Sequence, residues 1–338
     1  MSRARLEFVH GEPVESWSKK SATPMRVAIV VDAACDLPDW CFKSPDLVVL
    51  PITVRIGGMN YFDMHLPKIR EQFIRDGIGG KGADAETVPM SEREILALFR
   101  ERLALDYDSV YCLTIASSRS PIYENATRAS IDIAREARML RQNAGITRPF
   151  QLRVIDTKNA LAAQGISVLE LMDLLKSGAS QAQIRTRLFE VIDSTYSYLV
   201  PDDLYYLSAR LRAKGDRSVG ILGAMLGNAL NVKPILRGRL GDTGPVAKIR
   251  GRDQALRRLF RFCARQVQRG LLSPHFSVSY GGPLGELRTA PGYIELALAC
   301  SNEGVQLHES VMSITGMINV GQHAVAVGFA APDHEPDI

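Results

Sequence analysis

The sequence lacks the features of several large protein classes. Its 338 residues contain no apolar run of about 18 residues, so no segment is predicted to cross a membrane. The five cysteines are scattered and form no C-x-x-C pair, which argues against a disulfide framework or a zinc site. A net charge of +4 gives no indication of nucleic-acid binding, and no P-loop for ATP is present. The N-terminus has no apolar signal core, so we expect a cytoplasmic protein.

The chain is long enough for two domains, and its 46% hydrophobic content is ordinary for a globular protein. Strands alternate with helices in residues 25–165, which predicts an α/β domain with a mostly parallel sheet and helices on both faces. Residues 166–332 predict a second, α+β domain with a mainly antiparallel sheet. Its strand-like runs are Ser194–Leu199, Phe276–Tyr280, Tyr293–Ala299 and Ala324–Phe329. We expect residues 1–24 to be a flexible arm and residues 333–338 a disordered tail.

The segment Asp108–Ala126 combines a buried strand with a hydroxyl-rich helix start. The apolar run Val110–Ile115 predicts the strand, and three serines follow it within five residues. Pro121 suits the first helical position, and Ser120 before it is a favoured N-cap. Free N–H groups and hydroxyls at a helix start favour an anion. The segment therefore predicts either an anion site or an ordinary N-cap without a ligand.

Other patterns indicate chemistry less directly. Gly77, Gly79 and Gly82 spell G-x-G-x-x-G, but they follow a helical pattern rather than a strand, so we interpret them as a loop. The arginines of the helical segment Gln254–Gln268 form either a solvated face or a docking face for an acidic partner. His323 stands between a glycine turn and an apolar strand. A hydrolase triad of Ser120, His323 and Asp32 or Asp156 stays open as an alternative, although the G-x-S-x-G pattern is absent.

Several motifs, taken in order, resemble the DegV family of bacterial fatty-acid-binding proteins over Val27–Gly328. The matching segments are VVDAACDLP (Val30–Pro38), VVLPITVRIGGMNYFD (Val48–Asp63), TVPMS (Thr87–Ser91), Ser117–Ala126, VIDTKNALAAQG (Val154–Gly165), DLYYL (Asp203–Leu207), KGDRS (Lys214–Ser218), NVKPIL (Asn231–Leu236) and the late His323. Pro121 and Ile122 depart from the family's Gly-Thr, and Val325–Val327 replace its G-P-G. These departures keep open a diverged member that binds another amphiphile.

The resemblance implies a function without chemistry of its own. One long-chain fatty acid would lie between the two domains, with its carboxylate hydrogen-bonded by Thr87 and Ser120 and with His323 nearby. An ATP-dependent fatty acid kinase would phosphorylate that carboxylate to acyl phosphate for phospholipid metabolism, and Arg217 would contact this partner. Hydroxyl donors suit the role because they leave the carboxylate nucleophilic. The resemblance implies no catalytic residue, metal or cofactor in this chain.

Overall fold

The computed structural model describes residues 25–78, 85–201, 207 and 231–338, together with two short N-terminal strands. The strands are β1 (Glu7–Val9), β2 (Glu12–Val14), β3 (Val27–Asp32), β4 (Leu47–Leu50), β5 (Ile52–Ile56), β6 (Met59–Asp63), β7 (Ala85–Pro89), β8 (Ser109–Thr114), β9 (Gln151–Asp156), β10 (Thr195–Val200), β11 (Val232–Arg239), β12 (Asp242–Arg250), β13 (His275–Tyr280), β14 (Gln306–Val311) and β15 (Val325–Ala330). The helices are α1 (Pro67–Arg75), α2 (Glu92–Leu98), α3 (Ala104–Asp106), α4 (Ile122–Asn143), α5 (Leu161–Ser177), α6 (Gln181–Ser194), α7 (Arg252–Arg269), α8 (Leu284–Arg288), α9 (Tyr293–Asn302) and α10 (Ile314–Val320). A π-helical turn, Phe99–Leu103, joins α2 to α3.

The first domain is built on a parallel sheet of four strands in the order β4-β3-β8-β9. Every residue of β3 and β8 is buried, which is why these strands are nearly continuous apolar runs in the sequence. Helices α5 and α6 pack on one face, and α2 and α4 pack on the other. The predicted parallel sheet with helices on both faces is confirmed.

A second, three-stranded antiparallel sheet in the order β6-β5-β7 adjoins this domain. Pro51 separates β4 from β5, so the single apolar run Leu47–Ile56 supplies one strand to each sheet. The strands β6 and β7 are not among the elements that the sequence predicted. Their pairing with β5 brings Thr87 opposite Val54, more than 30 residues away along the chain.

The second domain contains a six-stranded sheet in the order β12-β11-β10-β15-β13-β14. Only the β13–β14 pair is parallel, so the prediction of a mainly antiparallel sheet is confirmed. The strand predicted over Tyr293–Ala299 is wrong, because these residues begin helix α9. Tyr293, Leu296 and Cys300 are buried at helical spacing, and the strand of this region is β14 instead.

Helix α5 lies between the two sheets and belongs to both cores. It packs against the parallel sheet on one side and against β13 and β15 on the other. Small residues permit this close approach. A Cβ placed on Gly165 would lie 2.7 Å from the carbonyl oxygen of Asp36, and one on Gly328 would lie 2.3 Å from the Cα of Ala163. The predicted domain boundary at residues 165 and 166 therefore falls inside a shared helix.

Buried carboxylates of the first domain also bond to the second. Asp36 accepts hydrogen bonds from the hydroxyl of Ser279 at 2.6 Å and the backbone N–H of Ser313 at 2.8 Å. Asp63 accepts one from the N–H of Thr315 at 2.7 Å. Since both carboxylates are completely or almost completely buried, these bonds fix the start of α10 against the first domain.

The predicted flexible arm is residues 1–24, and the predicted disordered tail is residues 333–338. Residues 1–24 lie outside the described residues except for β1 and β2, which pair antiparallel. Asp333 accepts a hydrogen bond from the hydroxyl of Tyr196 at 2.5 Å, and His334 lies 3.0 Å from that of Tyr198.

Within the described part of the chain, no helix has both the length and the apolar character needed to span a membrane.

Candidate functional site

The order of the parallel strands marks where a ligand would bind. From β3 the chain passes first to β4 on one side and later to β8 on the other. In sheets of this kind, ligands bind in the crevice at the carboxyl ends of the strands where the order reverses. That crevice lies between the residues that follow Asp32 and those that follow Thr114. Ser120 is on the second of these loops.

Asp32 holds the two loops of this crevice together. Its buried carboxylate accepts hydrogen bonds from the N–H of Ala34 at 3.0 Å, the N–H of Ile115 at 2.6 Å and the side-chain amide of Gln164 at 3.1 Å. Burial raises the pKa of Asp32 to about 6, and the hydrogen bonds, which favour the charged form, act against this rise. The role of Asp32 in this structure is to position backbone.

Further contacts fix the loop that carries Ser120. The N–H of Ala116 donates to the carbonyl of Asn159 at 2.8 Å, and the N–H of Ser117 lies 3.3 Å from the carboxylate of Asp156. The hydroxyl of Ser118 donates to the carbonyl of Gly241 in the second domain at 2.8 Å. The loop is therefore attached to both domains before it reaches Ser120.

Ser120 itself lies two residues before the start of α4. Its hydroxyl oxygen accepts from the N–H of Ile122 at 3.3 Å. Pro121 precedes the helix rather than opening it, so the predicted helix start is one residue too early, and no side chain caps α4. In the described residues no acceptor faces the O–H of Ser120, which leaves this donor beside the free N–H groups of the helix start.

Thr87 lies on the inner face of the three-stranded sheet. Its partner in register is Val54, which is fully buried, and Val54 in turn pairs with Tyr61. The side-chain amide of Asn125 donates to the carbonyl of Met90 at 2.9 Å. This bond joins the first turn of α4 to the residues just after Thr87, so the two hydroxyl-bearing segments run beside each other.

An apolar cluster adjoins Thr87 and contains residues of both domains. Its fully or largely buried members are Val54, Ile56, Phe73, Ala85, Ala162, Met312, Ile314, Met317, Ile318, Ala324 and Ala326. The partly buried Tyr61, Ile74, Ile78, Leu161, Leu199 and Val320 surround them. We call this set the interdomain cluster. Its composition suits a hydrocarbon chain, and Thr87 is in register with one of its members, Val54.

His323 lies on the turn before β15, as predicted, with its side chain 46% exposed. Its Nδ1 is 3.1 Å from the hydroxyl of Tyr280 and 3.8 Å from the carboxylate of Glu286. Within the described ranges no hydrogen bond joins it to Ser120, Asp32 or Asp156. The residues of the alternative triad are therefore not arranged as a Ser–His–Asp relay.

Other predicted features stand apart from this site or outside the described residues. Arg217 and the KGDRS segment around it are outside the described residues, as are Gly79 and Gly82 of the glycine pattern. Tyr280 and Glu286 are polar neighbours of His323 that sequence reasoning missed. The only signal for them is the Gly-Gly pair that follows Tyr280, the last residue of β13. No metal-ligand cluster of three or more His, Cys, Asp or Glu occurs among the described residues.

Comparison with known proteins agrees with this architecture. The model of the DegV family, which is described as a family of uncharacterised proteins, matches residues 26–332. The chain belongs to the DegV family. A DegV domain-containing protein of Xanthomonas campestris is 49% identical over 310 residues, which cover 92% of this chain and 99% of that protein. A relative from Xanthomonas axonopodis is 50% identical over the same length and the same shares of the two chains.

Solved structures of DegV proteins share the fold. A stearic acid-binding protein from Eubacterium ventriosum superposes with a TM-score of 0.71 at 20% identity, covering 90% of this chain and 98% of that one. DegV from Bacillus subtilis, described as a fatty acid binding protein, gives a TM-score of 0.68 at 22% identity and covers 91% of this chain and all of that one. At this identity the likeness establishes the common fold.

Proposed function

We propose that this DegV protein binds one long-chain fatty acid between its two domains and presents the carboxylate to a partner kinase. The observation that carries the proposal is the position of Thr87. Thr87 is in register with Val54 of the interdomain cluster, and the bond from Asn125 to Met90 joins the segment after Thr87 to the first turn of α4, which follows Ser120. Two proteins that share the fold, one from Eubacterium ventriosum and DegV from Bacillus subtilis, are described as binding stearic acid and fatty acid respectively.

The energetics divide between the two parts of the ligand. Burial of a hydrocarbon chain contributes about 0.8 kcal/mol per methylene, so the tail supplies most of the affinity. The tail does not fix the position of the ligand along its own axis, and the head group has to do so. Hydrogen bonds from the hydroxyls of Thr87 and Ser120 to a carboxylate contribute about 1.5–3 kcal/mol each. The N–H groups at the start of α4 add a favourable electrostatic field.

Neutral hydroxyl donors also suit phosphoryl transfer to the ligand. A carboxylate paired with lysine or arginine loses nucleophilicity, whereas one held by hydroxyls keeps it. The sequence has no P-loop, so ATP would be bound by a separate kinase, with Arg217 as a contact. The product would be an acyl phosphate on the bound lipid. This carrier role requires no catalytic residue in the chain.

The test is mass spectrometry of an organic extract of the purified protein, followed by fatty acid titration of the delipidated form. We expect a near-stoichiometric fatty acid in the wild type and at least about tenfold weaker binding in Thr87→Val and Ser120→Ala. Thr53→Val and Ser117→Ala are the matched controls, since Thr53 lies in register with Val88 on the outer face of the same sheet and Ser117 is an exposed serine of the same loop. Equal losses in the controls would contradict the assignment, and an empty wild type that takes up no fatty acid would refute the function.

A further inference from the structure

The tip of the β11–β12 hairpin extends from the second domain onto the loops of the crevice. Arg239 pairs with Asp242, so Leu240 and Gly241 form a two-residue turn between the strands. Both residues have positive φ, of 52° and 87°, as a type I′ turn requires. The bond that closes such a turn joins the residues on either side of it. The N–H and C=O groups of Gly241 are therefore available to another part of the chain.

The first domain uses both of these backbone groups. The N–H of Gly241 donates to the carbonyl of Lys158 at 2.8 Å, and its carbonyl accepts from the hydroxyl of Ser118 at 2.8 Å. Lys158 follows β9 and Ser118 follows β8, so one glycine bridges the carboxyl ends of two neighbouring strands. The φ of Lys158, 54°, lies in the left-handed region, which persists for such a residue where the surroundings hold the backbone in place.

The loop that the hairpin contacts is rigid as far as Ser120. The N–H of Arg119 donates to the carbonyl of Ala116 at 2.8 Å, which closes a β-turn with Ser118 at its centre. Ser120 comes directly after this turn, and Pro121, whose ring restricts its own φ, comes next. A displacement of the turn is therefore carried on to Ser120, because no flexible residue between them absorbs it.

The hairpin is also rigid on the side of the second domain. Strand β11 pairs with β10 as far as Arg239, which lies opposite Tyr196. The guanidinium of Arg239 lies over the Tyr196 ring at 4.7 Å from its centroid and forms an ion pair with Asp333 at 2.5 Å. Gly241 is only two residues further along the chain. The second domain thus fixes the hairpin tip, and the tip fixes the loop that carries Ser120.

We propose that Gly241 and Ser118 are positioning residues, and that the head-group site at Ser120 is complete only while the hairpin tip contacts the first domain. This inference rests on the proposed function for the identity of the ligand. The apolar residues named as the interdomain cluster include none from this loop or from the hairpin tip. The contact therefore contributes to the recognition of the carboxylate and leaves the burial of the tail unchanged.

The test compares two ligands with the same tail, palmitic acid and hexadecanol, in titrations of the delipidated protein. Hydrogen bonds to a carboxylate are stronger than those to a neutral group, so the wild type should prefer the acid. We expect Ser118→Ala, which loses one neutral hydrogen bond, to lower the ratio of acid to alcohol affinity about three- to tenfold, with the alcohol affinity within about twofold of wild type.

Two variants serve as controls for this titration. Ser118 is exposed, so Ser118→Thr has room for the added methyl group, keeps the hydroxyl and should restore the ratio. Ser117→Ala removes the neighbouring serine hydroxyl and should behave as the wild type. A ratio unchanged in Ser118→Ala, or equal losses for acid and alcohol, would overturn the positioning role.

A cysteine pair tests the contact within a single protein. A Cβ placed on Gly241 would lie 3.8 Å from the Cβ of Ser118, the usual separation in a disulfide. The five native cysteines are buried, so Ser118→Cys combined with Gly241→Cys supplies an accessible pair. Strain from a side chain at the φ of residue 241 is common to both redox forms. We expect the wild-type ratio in the oxidised form and the ratio of Ser118→Ala in the reduced form, and equal ratios would contradict the proposal.

Amide hydrogen exchange of the lipid-free protein, followed by NMR, separates this inference from the proposed function. The bond to Lys158 should protect the N–H of Gly241. We expect exchange of this amide to be about three- to tenfold faster in Ser118→Ala and unchanged in Ser117→Ala. An unprotected amide in the wild type would overturn the inference. A protected amide that responds to Ser118→Ala, in a protein that binds neither ligand, would instead refute the proposed function alone.

Discussion

The close contact between Gly328 and α5 gives a sharp prediction of stability. The Cβ of alanine at position 328 would lie 2.3 Å from the Cα of Ala163 and 2.6 Å from its nitrogen, against about 3.4–4 Å for ordinary contact. The atoms that it meets are backbone atoms of a helix packed between two sheets, so they cannot rotate away. Overpacking costs about 1–3 kcal/mol and occasionally more. We expect Gly328→Ala to lower the free energy of unfolding by at least about 3 kcal/mol.

The control for this prediction is Gly244→Ala, also on a strand of the same sheet. A Cβ on Gly244 meets nothing within 4 Å, so this change should alter stability by less than about 1 kcal/mol. Urea denaturation of the delipidated proteins, followed by circular dichroism, compares the two. A loss of about 3 kcal/mol lowers the midpoint by about 1 M at an ordinary slope. Midpoints of the two variants that agree within about 0.3 M would refute the packing explanation.

Two further predictions concern buried charges of the first domain. The pKa of Asp32 is about 6 in the folded state, against an ordinary value of 3.8. The folded state therefore retains a proton that the unfolded state has lost, and stability falls as the pH rises from about 4 to 6, by about 3 kcal/mol. In Asp32→Asn, the free energy of unfolding should not show this fall between pH 4 and pH 7. If the free energies of variant and wild type instead changed in parallel with pH, the prediction would be wrong. Arg141, 2% exposed, donates to Asp108 at 2.6 Å and to the carbonyls of Ala104 and Tyr107. We expect Arg141→Ala to lower the free energy of unfolding by about 3–5 kcal/mol. The exposed Arg135→Ala should lower it by less than about 1 kcal/mol, and an equal effect of both in urea denaturation would contradict the assignment.

The parallel sheet was predictable because its strands carry their own signal. β3 and β8 are buried on both faces, so each is a short apolar run whatever its neighbours are. Tyr293–Ala299 shows where this signal fails. A buried helix and a buried strand both give apolar runs. In the structure these residues form α9, and Ile294 and Leu298, at 65% and 58% exposure, lie on its solvated face.

The candidate site was predictable only in part, for a related reason. Ser120 is marked locally by the strand that ends before it and the proline that follows it. The inward position of Thr87 depends instead on its register with Val54, which no local pattern encodes. The contact of His323 with Tyr280 joins residues 43 positions apart, and Tyr280 in turn bonds to Glu286. Such relations exist only after the chain has folded.

The shared helix α5 has a consequence for the modularity of the protein. A chain whose halves meet in a linker can be cut there and recombined, and each half can evolve or be expressed by itself. Here α5 contributes to the core of the parallel sheet and also covers the second sheet, so a cut near residues 165 and 166 removes part of both cores. Neither product would retain a complete hydrophobic interior. The two domains thus share one helix between their cores, and fragments for complementation have to be divided elsewhere.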